Sequence, residues 1–196
     1  MELGRMSPED LLSSNFWVAK MKTYFKVMDT NQNGFLSRSE YEEIAERLVQ
    51  NQNDRSKDEE IRAVFRSLFH NFVAGGSEVD AETEISYEKF LANAAKAVSL
   101  MQSSREAGRR KNEVFFDFVD TDSSGKISRE EYRKYLAIYS GGEDTDRADQ
   151  AFDSIDVDGN GFISRTEFIE GHMNYWYEPT SDPNYSPLPY GPLVDS

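Results

Sequence analysis

The sequence contains no cysteine. That excludes a disulfide framework, a thiol nucleophile, an iron–sulfur centre and thiolate zinc, and it fits a reducing compartment. Histidine is almost as scarce: His70 and His172 are the only two among 196 residues. Without thiols and with so few imidazoles there is no nucleophile–base constellation, so the chain reads as a binding protein rather than an enzyme. No run of about 18 apolar residues occurs, so no membrane-spanning helix is expected. Met1–Ser14 lacks a basic region followed by an apolar stretch, and residue 2 is Glu2 rather than glycine, which makes a cytoplasmic address the default. Positive charge is in deficit. Against 36 acidic residues stand 22 Lys and Arg, for a net charge of −14. Nucleic acid and anionic membranes would both repel such a chain, whereas a protein that collects cations is well served by it. Proline is nearly absent from the body, since five of the six prolines fall in the last 18 residues.

Apolar material is not lacking. The 13 Phe, 10 Tyr and 2 Trp argue for a packed core and against disorder. They lie at helix spacing around a repeated segment. Asp29–Glu40 reads DTNQNGFLSRSE, Asp120–Glu131 reads DTDSSGKISREE, and Asp156–Glu167 reads DVDGNGFISRTE. Trp17, Met21, Tyr24, Phe25 and Met28 precede the first copy on one helical face, and Tyr41, Ile44, Ala45, Leu48 and Val49 follow it. Similar faces flank the other two copies. Two more amphipathic stretches, Ile61–Phe72 and Tyr87–Met101, sit between the first and second copies without a loop of the same pattern.

The repeat is the D-x-[DN]-x-[DN]-G-x5-E calcium loop of the EF-hand. Hard divalent cations require several oxygen ligands, a sharp turn at the sixth position and a carboxylate able to bind through both oxygens at the twelfth. Loop one offers Asp29, Asn31, Asn33, the Phe35 carbonyl, Ser37 and Glu40. Loop three offers Asp120, Asp122, Ser124, the Lys126 carbonyl, Ser128 and Glu131, and loop four offers Asp156, Asp158, Asn160, the Phe162 carbonyl, Ser164 and Glu167. Gly34, Gly125 and Gly161 stand at the turn. A simpler reading exists for any single copy, since Asn-Gly and Ser-x-x-Glu also make an ordinary turn and a helix cap. Three complete copies between amphipathic helices outweigh it.

The missing loop can be placed by its hydrophobe. With Ile85 at position 8, positions 1, 3, 5, 6 and 12 become Glu78, Asp80, Glu82, Thr83 and Lys89. The glycine is gone and an ammonium replaces the bidentate carboxylate, so loop two is expected to bind no calcium and to survive as a pairing partner of Leu36. On carboxylate count alone, loop one should be the weakest of the other three. It has two carboxylates among its named ligands, where the others have three.

Trp17-Val18-Ala19-Lys20-Met21-Lys22-Thr23-Tyr24-Phe25, then Ala45-Glu46-Arg47, and Tyr190-Gly191-Pro192-Leu193-Val194 at the end, resemble the invertebrate sarcoplasmic calcium-binding proteins. The pattern of live first, third and fourth hands with a lapsed second also resembles them. The resemblance implies an all-α fold of four helix–loop–helix units in two pairs, with short β pairing between loops and the tail folded onto the core. It implies three calcium ions, magnesium as a competitor, and buffering in the cytoplasm by a monomer. We expect an N-terminal pair over residues 1–102, a hinge at 103–112 opening a C-terminal pair over 103–178, and a Pro-rich tail over 179–196. The sibling calcium-regulated photoproteins and coelenterazine-binding proteins share this layout. His172-Met173-Asn174-Tyr175-Trp176 looks like their C-terminal motif, Tyr190 like their tail tyrosine and Tyr135 like a cavity tyrosine, which leaves open a small apolar ligand near His172, Trp176 and Tyr190. Where photoproteins carry a cavity histidine in the first helix, this chain has Met21. Otherwise His172 reads as a core histidine bonded near the tail, and His70 as a surface residue. A sensor that opens a Met-rich groove fits less well, because only six Met occur and aromatics dominate.

Overall fold

The amphipathic stretches fold as helices because their apolar residues recur every three or four positions and bury one face. The computed structural model describes residues 6–51, 55–80, 82–101, 105–142, 144–180 and 187–194. Helix α1 (Pro8–Ser13) leads into α2 (Asn15–Met28). The first hand is α2, strand β1 (Phe35–Ser37) and α3 (Arg38–Asn51). The second is α4 (Asp58–Leu68), β2 (Glu84–Ser86) and α5 (Tyr87–Met101). Helix α6 (Arg105–Val119), β3 (Lys126–Ser128) and α7 (Arg129–Ser140) make the third, and α8 (Thr145–Ile155), β4 (Phe162–Ser164) and α9 (Arg165–Tyr177) the fourth.

The loops pair as two short antiparallel ladders. β1 joins β2 with Leu36 opposite Ile85, and β3 joins β4 with Ile127 opposite Ile163. All four side chains are fully buried, so each ladder closes the end of its pair on the core. The register expected from Ile85 is therefore the one formed. The two pairs share a single aromatic core that includes Tyr24, Phe65, Phe90, Phe116, Tyr139 and Phe168. Arg47 of α3 donates to the Ile138 carbonyl of α7 at 3.0 Å across the seam.

Three features depart from the sequence reading. The stretch assigned to a hinge, 103–112, is helical from Arg105 onward. Its Arg, Glu, Lys and Ala residues are good helix formers. Gly108 lets α6 lie close to α9, since a Cβ there would come within 2.9 Å of the Tyr177 hydroxyl. The second departure is in the run Ile61–Phe72, where α4 ends at Leu68 and the backbone widens into a π-helical turn over Phe69–Val73. The turn buries Phe69, Phe72 and Val73 together. The third is α1, whose Ser7 and Asp10 form a capping box with proline at the helix start.

The tail is docked. Pro187, Pro189, Tyr190 and Gly191 are buried. Val194 N donates to Thr23 Oγ1 at 3.0 Å and Leu188 N to Ser154 Oγ at 2.9 Å. Tyr185, which could also anchor the tail, lies outside the described residues. Helix α2 clasps the end of α9: Trp17 Nε1 donates to the Trp176 carbonyl at 3.0 Å, and Lys20 Nζ to the Glu178 carbonyl at 2.6 Å. Lys20 is almost wholly buried, and that burial pulls its pKa down to about 7.

Candidate metal centres

The three complete loops share one geometry. The position-1 aspartate takes two main-chain N–H groups in each: Asn33 and Gly34 on Asp29 at 3.1 and 2.9 Å, Ser124 and Gly125 on Asp120 at 2.9 and 2.8 Å, and Asn160 and Gly161 on Asp156 at 3.1 and 2.9 Å. The position-6 glycines hold φ of +83°, +83° and +84°, the left-handed region where a Cβ is strained. Position 4 is left-handed too, with φ of 58° at Gln32, 56° at Ser123 and 66° at Gly159. Only Gly159 hinted at that in the sequence.

The position-12 glutamates close the loops. One oxygen of Glu40 accepts from Thr30 N at 3.0 Å, and the other from Ser37 N at 2.9 Å. Glu131 repeats this with Thr121 and Ser128, and Glu167 with Val157 and Ser164. The serines at position 9 accept from the backbone of these same glutamates, at 3.3, 3.3 and 3.2 Å. The Ser–Glu pairs thus both cap the outgoing helix and set the last carboxylate across the loop. In EF-hand loops position 9 often reaches the ion through water.

The structure brings the acidic ligands together. Asp120, Asp122 and Glu131 each place a carboxylate oxygen within 4.8 Å of the others, and Asp156, Asp158 and Glu167 do likewise. Loop one has only Asp29 and Glu40 as acids, both buried, with amide oxygens from Asn31 and Asn33 beside them. Phe35, Lys126 and Phe162 each open a strand, with exposed side chains. Every donor is an oxygen, and none is sulfur or imidazole. That set fits a hard divalent cation such as calcium or magnesium.

Loop two lacks the fold of a site. Its Thr83 has no left-handed φ, and its hydroxyl turns to Asp80 Oδ1 at 2.5 Å. Lys89 is exposed, and its backbone N–H is capped by Ser86 at 3.4 Å. Sequence reasoning missed Glu84 in this segment, which reaches across to loop one.

Beneath the hands lies a cavity of about 80 Å³, lined among others by Tyr135, His172, Trp176 and Tyr190. His172 is buried beside the tail residue Tyr190, with Nδ1 at 2.9 Å from the Phe168 carbonyl of its own helix. Its Nε2 has no partner among the described residues. Burial in this aromatic setting lowers its pKa to about 4. Met21 is fully buried, and His70 is exposed.

Comparison with known proteins fits this geometry. The sequence matches the EF-hand domain pair family over residues 109–172 and the EF hand family over residues 21–45. It is 34% identical over 187 residues to the sarcoplasmic calcium-binding protein of Perinereis vancaurica tetradentata, covering 92% of this chain and 100% of that one. The sarcoplasmic calcium-binding protein of Hediste diversicolor is 32% identical over 131 residues, covering 64% and 70% of the two chains. The chain belongs to the sarcoplasmic calcium-binding protein family. It is a calcium-binding EF-hand protein, and the likeness extends beyond the sarcoplasmic proteins. The luciferin-binding protein of Renilla reniformis is 31% identical over 139 residues, 70% of this chain and 73% of its own. Among solved structures, calcium-loaded coelenterazine-binding protein from Renilla muelleri aligns at TM-score 0.66 and 27% identity over 91% of this chain and 96% of its own. The structure of n-aequorin aligns at TM-score 0.72 over 97% and 98% of the chains with 20% identity, a likeness of fold alone.

Proposed function

We propose that this protein is a cytoplasmic calcium and magnesium buffer, monomeric, that takes up three divalent cations and catalyses nothing. The ligands are the residues named for loops one, three and four, with Ser37, Ser128 and Ser164 acting through water. The observation that carries the reading is the repetition of one loop geometry at all three places, with the twelfth-position glutamate already tied across each loop. A closed aromatic core supports a buffer over a sensor, because an opening hand needs an adaptable apolar groove. Calorimetry on the full chain tests it. Three calcium ions displaced by millimolar magnesium, with no gain in binding of an apolar dye, are expected. A fourth ion or strong dye binding would refute it.

One observation favours a second reading. His172 lines a cavity shared with Trp176 and Tyr190, and its Nε2 has no partner among the described residues, which supports a polar contact for a luciferin-type ligand there. The cavity of about 80 Å³ is well below the roughly 300–1,000 Å³ of sites for drug-sized ligands, which weighs against it. A shifted coelenterazine absorbance spectrum on mixing would decide for this reading.

A further inference from the structure

Loop two contributes something other than a sheet partner. Glu84 stands at its seventh position, the first residue of β2, and pairs in register with Ser37. Its Oε1 accepts from Nδ2 of Asn33 at 3.1 Å. Asn33 is the fifth-position residue of loop one, and its Oδ1 accepts from Phe35 N at 2.9 Å. The two bonds fix the amide: a carboxylate can only accept, so it holds the NH₂ end, and Oδ1 is left on the loop side as the oxygen a cation needs.

Charge points the same way. Loop one has two carboxylates among its ligand positions, where loops three and four have three each. Glu84 brings a third acid to it from the neighbouring hand. In the second pair the matching place, position 7 of loop four, holds Phe162, which pairs with Ser128 and carries no charge. The first pair thus adds a negative charge to the partner loop from this place, and the second adds none.

We propose that Glu84 is a positioning residue for the cation site of loop one. It orients Asn33 so that Oδ1 faces the ion, and it supplies the negative charge that loop lacks. The inference rests on reading Asp29–Glu40 as a live site. It gives the lapsed hand a function, and it removes the ground for ranking loop one weakest by counting only its own acids.

The test is a calcium titration of the full-length chain followed by NMR at the amides of Gly34, Gly125 and Gly161. Each donates to the position-1 aspartate of its own loop, so each reports one site. Glu84→Gln keeps an acceptor and loses the charge, whereas Glu84→Ala loses both. Residues that orient metal ligands typically change affinity by about 10–100-fold, and an exposed one belongs at the lower end. The expected result is an increase of about tenfold in the Gly34 midpoint in Glu84→Ala and a smaller one in Glu84→Gln, with Gly125 and Gly161 unmoved. An unmoved Gly34 midpoint in Glu84→Ala, or equal shifts at all three glycines, would overturn the proposal. A native protein whose Gly34 ignores calcium would overturn the loop-one assignment itself, and this inference with it.

Discussion

The buried hydroxyl of Tyr132, in the helix that leaves loop three, donates to the Pro189 carbonyl at 2.7 Å. This bond ties the third hand to the tail. The next residue, Tyr190, sets its ring edge-on to Tyr24 at 5.1 Å, Tyr175 at 5.2 Å and Trp176 at 6.2 Å. The tail is therefore a plug in the aromatic core. Removing a buried aromatic side chain typically costs about 3–5 kcal/mol, and 1 kcal/mol shifts the melting midpoint of a chain this size by about 2–4 °C. Tyr190→Ala should lower Tm by about 10 °C and red-shift tryptophan emission. Tyr132→Phe leaves the Pro189 carbonyl unpaired, at a cost of about 1–3 kcal/mol. A melt indifferent to both substitutions would mean that the tail adds nothing to stability.

Acid should destabilise the protein through His172. Its folded pKa of about 4 lies below the ordinary 6.5 because burial disfavours the imidazolium. The unfolded chain binds the proton first as pH falls, so the stability is complete above pH 6.5 and is lost between 6.5 and about 4. A shift of this size corresponds to about 3 kcal/mol. Urea unfolding in chelator across that window should show a shallower pH dependence in His172→Gln than in the native chain. Equal slopes would place the acid sensitivity in the carboxylates alone.

The loops were legible residue by residue because their chemistry is local. Twelve consecutive positions specify donor, turn and cap, and Ile85 carried the register of the lapsed loop through burial at position 8. What was not legible depends on contacts between distant segments. The helical spacing of Ile61–Phe72 runs on smoothly, and the π-helical turn at Phe69 forms where the chain must bury Phe72 and Val73 together. Lys20 sits amid an apolar face and looks like its charged exception. Its partners, the carbonyls of Asn174 and Glu178, come from the far end of the chain. Residues 105–112 of the expected hinge are helical for a compositional reason, since polar residues with high helix propensity read as a linker when only apolar spacing is counted. His172 was placed correctly in the core beside the tail, with its ring 6.0 Å from that of Tyr190, and its bond goes to the Phe168 carbonyl of its own helix.

The position-6 glycines should be needed for their backbone alone. A Cβ on Gly125 would meet nothing within 4 Å, so substitution changes no packing. Holding a residue with a Cβ at φ of +83° costs about 1–2 kcal/mol. Gly125→Ala should therefore weaken calcium at loop three by about 5–30-fold and leave the other loops unaffected. Calorimetry showing undiminished affinity would mean that the loop finds another turn.

Restoring the carboxylate should not revive loop two. In Lys89→Glu the twelfth position regains its acid, but Thr83 still lacks the left-handed turn and bonds Asp80 instead. Stoichiometry in calorimetry should stay at the native value in Lys89→Glu and rise by one only when Thr83→Gly is added. Extra binding in the single variant would show that the turn is not what closed this site.

Calcium should couple strongly to folding. Loops three and four each crowd three carboxylate oxygens within 4.8 Å, and the whole chain carries −14, so the protein without ions holds like charges against one another. Main-chain N–H groups on the glutamates of position 12 relieve part of that repulsion, which keeps the loops closed but does not cancel the charge. An ion that binds only the folded state stabilises it by about 2.7 kcal/mol per site at a hundredfold excess over Kd. Three independent sites give about 8 kcal/mol, comparable with the whole stability of an ordinary domain. The melting midpoint should therefore rise by about 15–30 °C from chelator to calcium. The Glu131→Gln and Glu167→Gln variants should each forfeit roughly a third of that rise. A shift of only a degree or two would mean that the hydrogen bonds within the loops, rather than the ions, hold the hands in place.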